Sequence, residues 1–224
     1  MCGRFKLTVP FREIVRLYNL TNSVNLPARY NIAPTQDVLA VLGGAERNQR
    51  RGEMMRWGLV PFWAKDTKIG YSFINAKAET VAERPAVREA FKKRRCIIPA
   101  DGFYKWQKTD SKRKRPYLIT LKSDRPFGFA GLWEKWTDKA SGEVIGSCTI
   151  ITTEPNALCA PIHNRMPVIL DPGDYARWLG EWPVISNELQ EMLRPYYAKP
   201  MKAVKIGSRI GNVKYDEPSL IEPV

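Results

Sequence analysis

The sequence predicts an α+β fold, mainly antiparallel in its strands, with helices at the periphery. Three observations lead there. Runs of β-type residues are short, numerous and bounded by Gly, Pro, Asn or Asp. Helical periodicity is confined to a few short segments. The two kinds of segment do not alternate regularly, which argues against a doubly wound parallel sheet.

The elements follow in order along the chain. FREIVRLYNL places Ile14, Val15, Leu17 and Tyr18 at helical spacing and gives way to the polar stretch 19–23, so a short amphipathic helix is expected there. VLAVL (38–42) is a strand run, and AVREAFKKRR (86–95) a second helix. CIIPA, PYLITLK, PFGFAGLW, CTIITT and MPVIL are the further strand runs. GDYARWL and SNELQEMLRPYY supply two more helical pieces within residues 173–197. Lys112 to Arg115, in KTDSKRKRPY, read as a basic hairpin loop, either a solvated turn or a nucleic-acid contact. No internal repeat and no dividing linker is found, so residues 1–224 are expected to form a single domain.

Composition narrows the class of partner. The 224 residues are 44% hydrophobic and 11% aromatic, enough for a buried core. Lys and Arg total 36 against 23 Asp and Glu, a net charge of +13, and such a surface suits a polyanion. No basic amphipathic helix stands apart to favour a membrane surface, so nucleic acid leads. No apolar stretch is long enough to span a bilayer, and MCGRFKLTVPF lacks the apolar region of a signal peptide, so a cytoplasmic protein with reduced thiols is expected. The four cysteines stand far apart with one histidine in the chain, which makes a structural zinc site improbable; no metal and no cofactor is expected.

Cys2 follows the initiator Met directly. Removal of Met1 would leave a free α-amine and a thiol on one residue, whose ordinary pKa values of about 8 and about 8.5 give both a usable nucleophilic fraction near neutrality. On the residues alone Cys2 is either that pair of nucleophiles or a small packing residue. His163 is either a structural hydrogen-bonding group or a proton shuttle, and Trp63 either core or a stacking surface. Asn75 reads as a turn or strand-end residue. Cys96, Cys148 and Cys159 read as buried small residues.

Polar and special residues crowd beside strand-like sequence in MCGRF, RYNIAPTQ, RWGLVPFWAKD, FINAKAET, ADGFYKW, PIHNRMPVIL and the ending GNVKYDEPSLIEP. With these motifs in this order, the chain resembles end to end the SRAP family, the SOS-response-associated peptidases or abasic-site-processing proteins. The resemblance implies an SRAP-like domain that captures abasic sites in single-stranded DNA through a thiazolidine at Cys2. It further implies Asn75 in the active site and His163 in proton transfer. Arg4, Lys77, Arg84 and Arg165 are expected to hold phosphates, with a hydroxyl contact from Thr152. Pro34, Phe62 and Trp63 are expected to stack or wedge against bases. It also implies a bacterial-type, nucleoid-associated protein, expected to be a monomer.

The chain leaves the family pattern at two places. It reads GFYKW where the family reads GFYEW, placing Lys105 where a glutamate would stand beside the Cys2 amine, and Lys77 stands where the family usually has Arg. Three readings of Lys105 stay open: lost acid/base catalysis, direct condensation with the aldehyde, and a phosphate contact. Two other functions stay open beside covalent capture. One is a thiol autopeptidase using Cys2 and His163, the other a non-catalytic single-strand-binding module.

Overall fold

A computed structural model describes residues 2–44, 46, 49–109 and 114–224. Thirteen strands and four short α-helices make up this part of the chain: β1 (Phe5–Leu7), α1 (Phe11–Tyr18), β2 (Arg29–Ile32), β3 (Asp37–Gly43), β4 (Arg50–Trp57), β5 (Asn75–Lys77), α2 (Arg88–Lys93), β6 (Arg95–Ala100), β7 (Gly102–Lys108), β8 (Lys114–Leu121), β9 (Phe127–Thr137), β10 (Val144–Thr153), β11 (Met166–Pro167), β12 (Ile169–Leu170), α3 (Tyr175–Trp178), α4 (Ser186–Glu191) and β13 (Met201–Lys205). The α+β reading with mainly antiparallel pairing holds. β10 is the exception, pairing in parallel with β4 and β5.

The strands form two sheets. The larger runs β11-β10-β4-β3-β6-β9-β12, and an added pairing of β10 with β9 closes β10, β4, β3, β6 and β9 into a ring. Closure removes the free edges that five strands would otherwise leave open. The smaller sheet runs β13-β8-β7-β1-β2. Asp101 links β6 in the ring to β7 in the small sheet, and its backbone N–H donates to Lys6 O at 3.1 Å. The aromatic rings of Phe5, Phe103, Phe127, Phe129 and Trp57 join the two sheets, with Phe5 edge-on to Trp57 at 5.2 Å and to Phe129 at 5.7 Å. Each such side chain contributes about 2 to 3 kcal/mol by leaving water. This cluster therefore fixes β1, and the residues just before it, against the ring.

The boundaries differ from the sequence reading for local reasons. α1 stops at Tyr18 because Asn19 takes the left-handed conformation, φ 57°, and its N–H returns to Val15 O. α2 is shorter than 86–95 because Arg95 belongs to β6, where its guanidinium donates to the carbonyls of Phe91, Lys92 and Trp178. MPVIL divides into β11 on β10 and β12 on β9. Of the expected basic hairpin loop, Lys114 and Arg115 lie in β8, and 112–113 fall outside the described residues. Cys96, Cys148 and Cys159 are buried, as read from the sequence.

Gly58 follows β4 with φ 133°, and a Cβ there would come within 2.8 Å of Gly70 O. Only glycine fits this crossing, which launches the segment carrying Phe62 and Trp63. No helix among the described residues is long and apolar enough to cross a membrane.

Candidate active site and nucleic-acid interface

β1 and β7 run antiparallel with Phe5 opposite Phe103 and Lys6 opposite Gly102. The Tyr104 N–H donates to Arg4 O at 3.0 Å, so the pairing continues toward the N-terminus as far as Arg4. A Cβ at Gly3 would meet nothing within 4 Å. On β8, Tyr117 lies opposite Lys105.

Arg4 anchors this segment. Its guanidinium donates to Asn31 Oδ1 at 2.5 Å, Ile210 O at 2.7 Å and Gly211 O at 3.0 Å. Asn31 in turn donates to Asn212 O at 3.0 Å and Tyr215 O at 2.8 Å. The C-terminal segment is thereby fastened over β1 and β2, and Gly211 reaches the rim of a cavity of about 670 Å³. Lys105, Lys108, Lys114, His163 and Asn164 also line it. Three lysines give its wall a strongly positive potential.

Cys2 is fully buried, and burial pushes its thiol up while the positive Lys105 pulls it down. Cys159 shares these neighbours; burial pushes its thiol up to about 11, with Lys105 acting in the opposite sense. Lys105 is 1% exposed, and burial pushes its ammonium down while Cys2 and Cys159 oppose that shift. Burial and the positive Lys105 bring His163 down to about 4, so the imidazole is neutral at pH 7. Its Nδ1 accepts from the Arg165 N–H at 3.0 Å, which leaves the proton on Nε2. His163 therefore offers a hydrogen-bond donor.

The loop bearing His163 is held from two sides. The His163 and Ile162 N–H groups donate to Cys159 O, both at 2.9 Å, and the Cys159 N–H reaches Asn156 Oδ1 at 3.0 Å. Arg165 forms a two-pronged pair with Glu79 at 2.5 and 3.0 Å and donates to Thr152 O at 2.5 Å. These bonds hold the Glu79 carboxyl below the ordinary range. Thr152 is buried, opposite Lys77 across β5 and Pro167 across β11, and its hydroxyl donates to Ala76 O at 3.3 Å.

Asn75 sits on β5 opposite Ile150. Its Nδ2 donates to Ile74 O at 2.9 Å and Ile150 O at 3.3 Å, while Oδ1 is buried with no partner among the described residues. An unfilled buried acceptor costs about 1 to 3 kcal/mol, so this atom is set up to receive a donor.

Of the residues singled out in the sequence, Lys105 and His163 line one cavity, Cys2 is buried within electrostatic reach of Lys105, and Arg165, Thr152 and Lys77 connect to the His163 loop through β5 and β10. Lys77 and Arg84 are exposed. Phe62 is 65% and Trp63 51% exposed, which excludes core packing for Trp63. Pro34 lies in a half-buried turn joined to the end of β4 by the Thr35 N–H on Trp57 O at 2.7 Å. The guanidiniums of Arg4 and Arg165 already hold protein acceptors. Sequence reading missed Cys159, Asn31 and Glu79; Cys159 stood four residues before His163, a spacing at which one tight turn brings two residues together.

Residues 1–213 match the family described as SOS response associated peptidase (SRAP). The chain belongs to the SRAP family. It is 44% identical over 225 residues to the abasic site processing protein YoqW of Bacillus subtilis, covering 99% of each chain. It is 33% identical over 174 residues to the abasic site processing protein HMCES of Xenopus tropicalis, covering 67% of this chain and 51% of that one. Among solved structures, a protein from Bacteroides thetaiotaomicron superposes with a TM-score of 0.90 at 26% identity over the full length of both. A protein from Bordetella bronchiseptica gives 0.77 at 26% identity, covering 92% of this chain and all of that one.

Proposed function

We propose that this SRAP protein, a single domain over residues 1–224, captures abasic sites in single-stranded DNA by forming a thiazolidine at Cys2 after removal of Met1. The observation that carries this reading is a basic cavity lined by Lys105 and His163, with the buried Cys2 in electrostatic reach of Lys105. Relatives that match nearly the whole chain and bear the name abasic site processing protein support it.

The chemistry balances without a cofactor. The Cys2 α-amine attacks the aldehyde carbon of the opened sugar, and one water leaves as the C=N bond forms. The thiol then adds across C=N: sulfur bonds to carbon and the thiol proton passes to nitrogen, closing a five-membered ring. The tether gives that second step an effective molarity reaching ~10⁵ M or more in well-oriented cases. It proceeds from a thiol, consistent with the direction of the Cys2 shift. The His163 Nε2–H donates a hydrogen bond to the ring oxygen as the sugar opens, and the Asn75 Oδ1 accepts from the amine or a sugar hydroxyl.

Lys77 and Arg84 supply phosphate contacts at the exposed face, joined by Lys108 and Lys114 at the cavity. Arg4, Arg165 and Thr152 shape the walls through the bonds described above. Phe62 and Trp63 stack on bases beside the lesion, each stack contributing about 1 to 3 kcal/mol, and Pro34 lies against them as a wedge.

Intact-mass measurement after mixing with an abasic single-stranded oligonucleotide tests the proposal. A stable adduct at Cys2 is expected. Loss of N-terminal mass alone would make the protein an autopeptidase, and neither change would make it a simple single-strand-binding module.

A further inference from the structure

Lys105 is a buried amine at the wall of the reaction cavity. It lies two residues from Phe103 on β7, hence on the face that meets the other sheet, and it lines the cavity together with His163. Cys2 and Cys159 are close enough to bias its charge, and it biases that of His163. An ammonium held away from water costs several kcal/mol before compensation. Burial and the nearby Arg165 cation both favour the neutral amine. That form attacks carbonyls, and an ordinary lysine holds only roughly one part in 2,500 of it at pH 7.

We infer that Lys105 is a second amine nucleophile of this cavity, which condenses with the aldehyde and passes it to the Cys2 α-amine. The inference rests on the abasic-site reading above and assigns the order of covalent steps within it. Nζ attacks the aldehyde carbon, and one water leaves as C=N forms. The Cys2 α-amine then adds to that carbon, a proton moves from the Cys2 nitrogen to Nζ, and the bond from carbon to Nζ breaks. The Lys105 amine is regenerated and a Cys2 imine remains for the thiol to close. No oxidant or reductant is consumed. The protonated lysine imine is a better electrophile than the aldehyde, so the relay offsets the acid/base group that a carboxylate at this position would supply.

The mature protein and its Cys2→Ala variant are incubated with a single-stranded oligonucleotide carrying one abasic site, with and without sodium cyanoborohydride, then digested and mapped by mass spectrometry. With reductant, a reduced carbon–nitrogen adduct on Lys105 is expected in Cys2→Ala, and in the parent at early times. Without reductant, the parent should accumulate the Cys2 thiazolidine. Full thiazolidine yield with Lys105 unlabelled in both proteins overturns the relay alone. Absence of any Cys2 thiazolidine overturns the abasic-site reading, and the relay with it.

Lys105→Arg keeps the cation without the nucleophile. It should form the Cys2 adduct roughly tenfold or more slowly while binding the oligonucleotide as tightly as the parent. A Lys105→Arg protein as fast as the parent would make the residue a cation and nothing more.

Discussion

The small sheet buries two lysines on adjacent strands, and their surroundings differ. Lys6 on β1 meets Asp101 at 3.0 Å and Thr8 Oγ1 at 3.1 Å, and Asp101 also accepts from the Thr8 N–H at 3.0 Å and hydroxyl at 2.5 Å. That end of the sheet is a closed ion pair in which each partner balances the other. Lys105 on β7 lines a cavity, with the Cys2 and Cys159 thiols, the His163 imidazole and the Arg165 guanidinium in electrostatic reach. The same residue type, buried to a similar degree, serves as a staple at one end and faces a cavity at the other. Burial of a charge does not by itself mark a functional residue; the chemistry of its neighbours separates the two cases.

The largest expected effect breaks the Lys105 end of the comparison. Cys2→Ala removes the thiol and leaves the Lys105 amine and an α-amine, so imines form but no ring can close. Heat-stable adduct on abasic single-stranded DNA should disappear in a denaturing gel, and its survival would rule out the thiazolidine.

The next effect concerns stability and pulls the two lysines apart. Lys6→Met leaves the Asp101 carboxylate buried without its cation, which should cost about 3 kcal/mol or more in urea unfolding. Lys105→Met, which likewise keeps the volume, is the matched comparison on β7. Equal losses from the two variants would mean that Lys105 is a staple after all.

Part of this comparison was legible in the sequence. Lys105 stood out because it departs from a family pattern, whereas Lys6 gave no signal, since its partner Asp101 is distant in sequence and the pairing of β1 with β7 brings them together. Helix α1 was readable from its apolar spacing. Strand β4, RRGEMMRW, was not, because its charged residues mask the alternation that buries Arg50, Gly52, Met55 and Trp57. Arg50 is buried there because Glu181, from beyond α3, meets it at 2.6 Å. Cys2 and His163 were found as chemistry-bearing residues, but Cys159 became visible only once the turns of residues 156–163 returned it to Lys105. Local propensity is written in short windows, and ion pairs and cavity walls are assembled by strand pairing across the whole chain.

A smaller effect tests the cationic face around the cavity. Binding to single-stranded DNA should weaken with salt, and each lost phosphate contact should reduce the slope of log K against log salt by about 0.7. Lys77→Ala and Arg84→Ala should each show that reduction. Lys202, on β13 and paired with Asp124 at 2.6 Å, serves as a comparison whose loss should leave the slope unchanged. If Lys202→Ala changes the slope as much as Lys77→Ala, the DNA follows a different face.

The smallest expected effect is the pH dependence contributed by His163, which shares the Lys105 environment. Its folded-state pKa of about 4 lies below the ordinary imidazole value of about 6.5. Above pH 6.5 both folded and unfolded chains hold it neutral, and its contribution to stability is fully present. As pH falls from 6.5 toward 4, the unfolded chain takes up a proton that the folded chain resists, so that contribution is progressively lost. Protonation of Nδ1 would also remove the acceptor for the Arg165 N–H. His163→Gln cannot titrate, so the stability of the parent relative to this variant should rise between pH 5 and pH 7.5 in matched urea unfolding curves. The imidazole is half-buried, which keeps the difference modest. Since His163 stays neutral throughout that range, the cross-linking rate should show no inflection there that vanishes in His163→Gln. A stability difference that is flat with pH would mean that His163 titrates as an ordinary surface histidine, and the assignment of its proton to Nε2 at neutral pH would lose its electrostatic support.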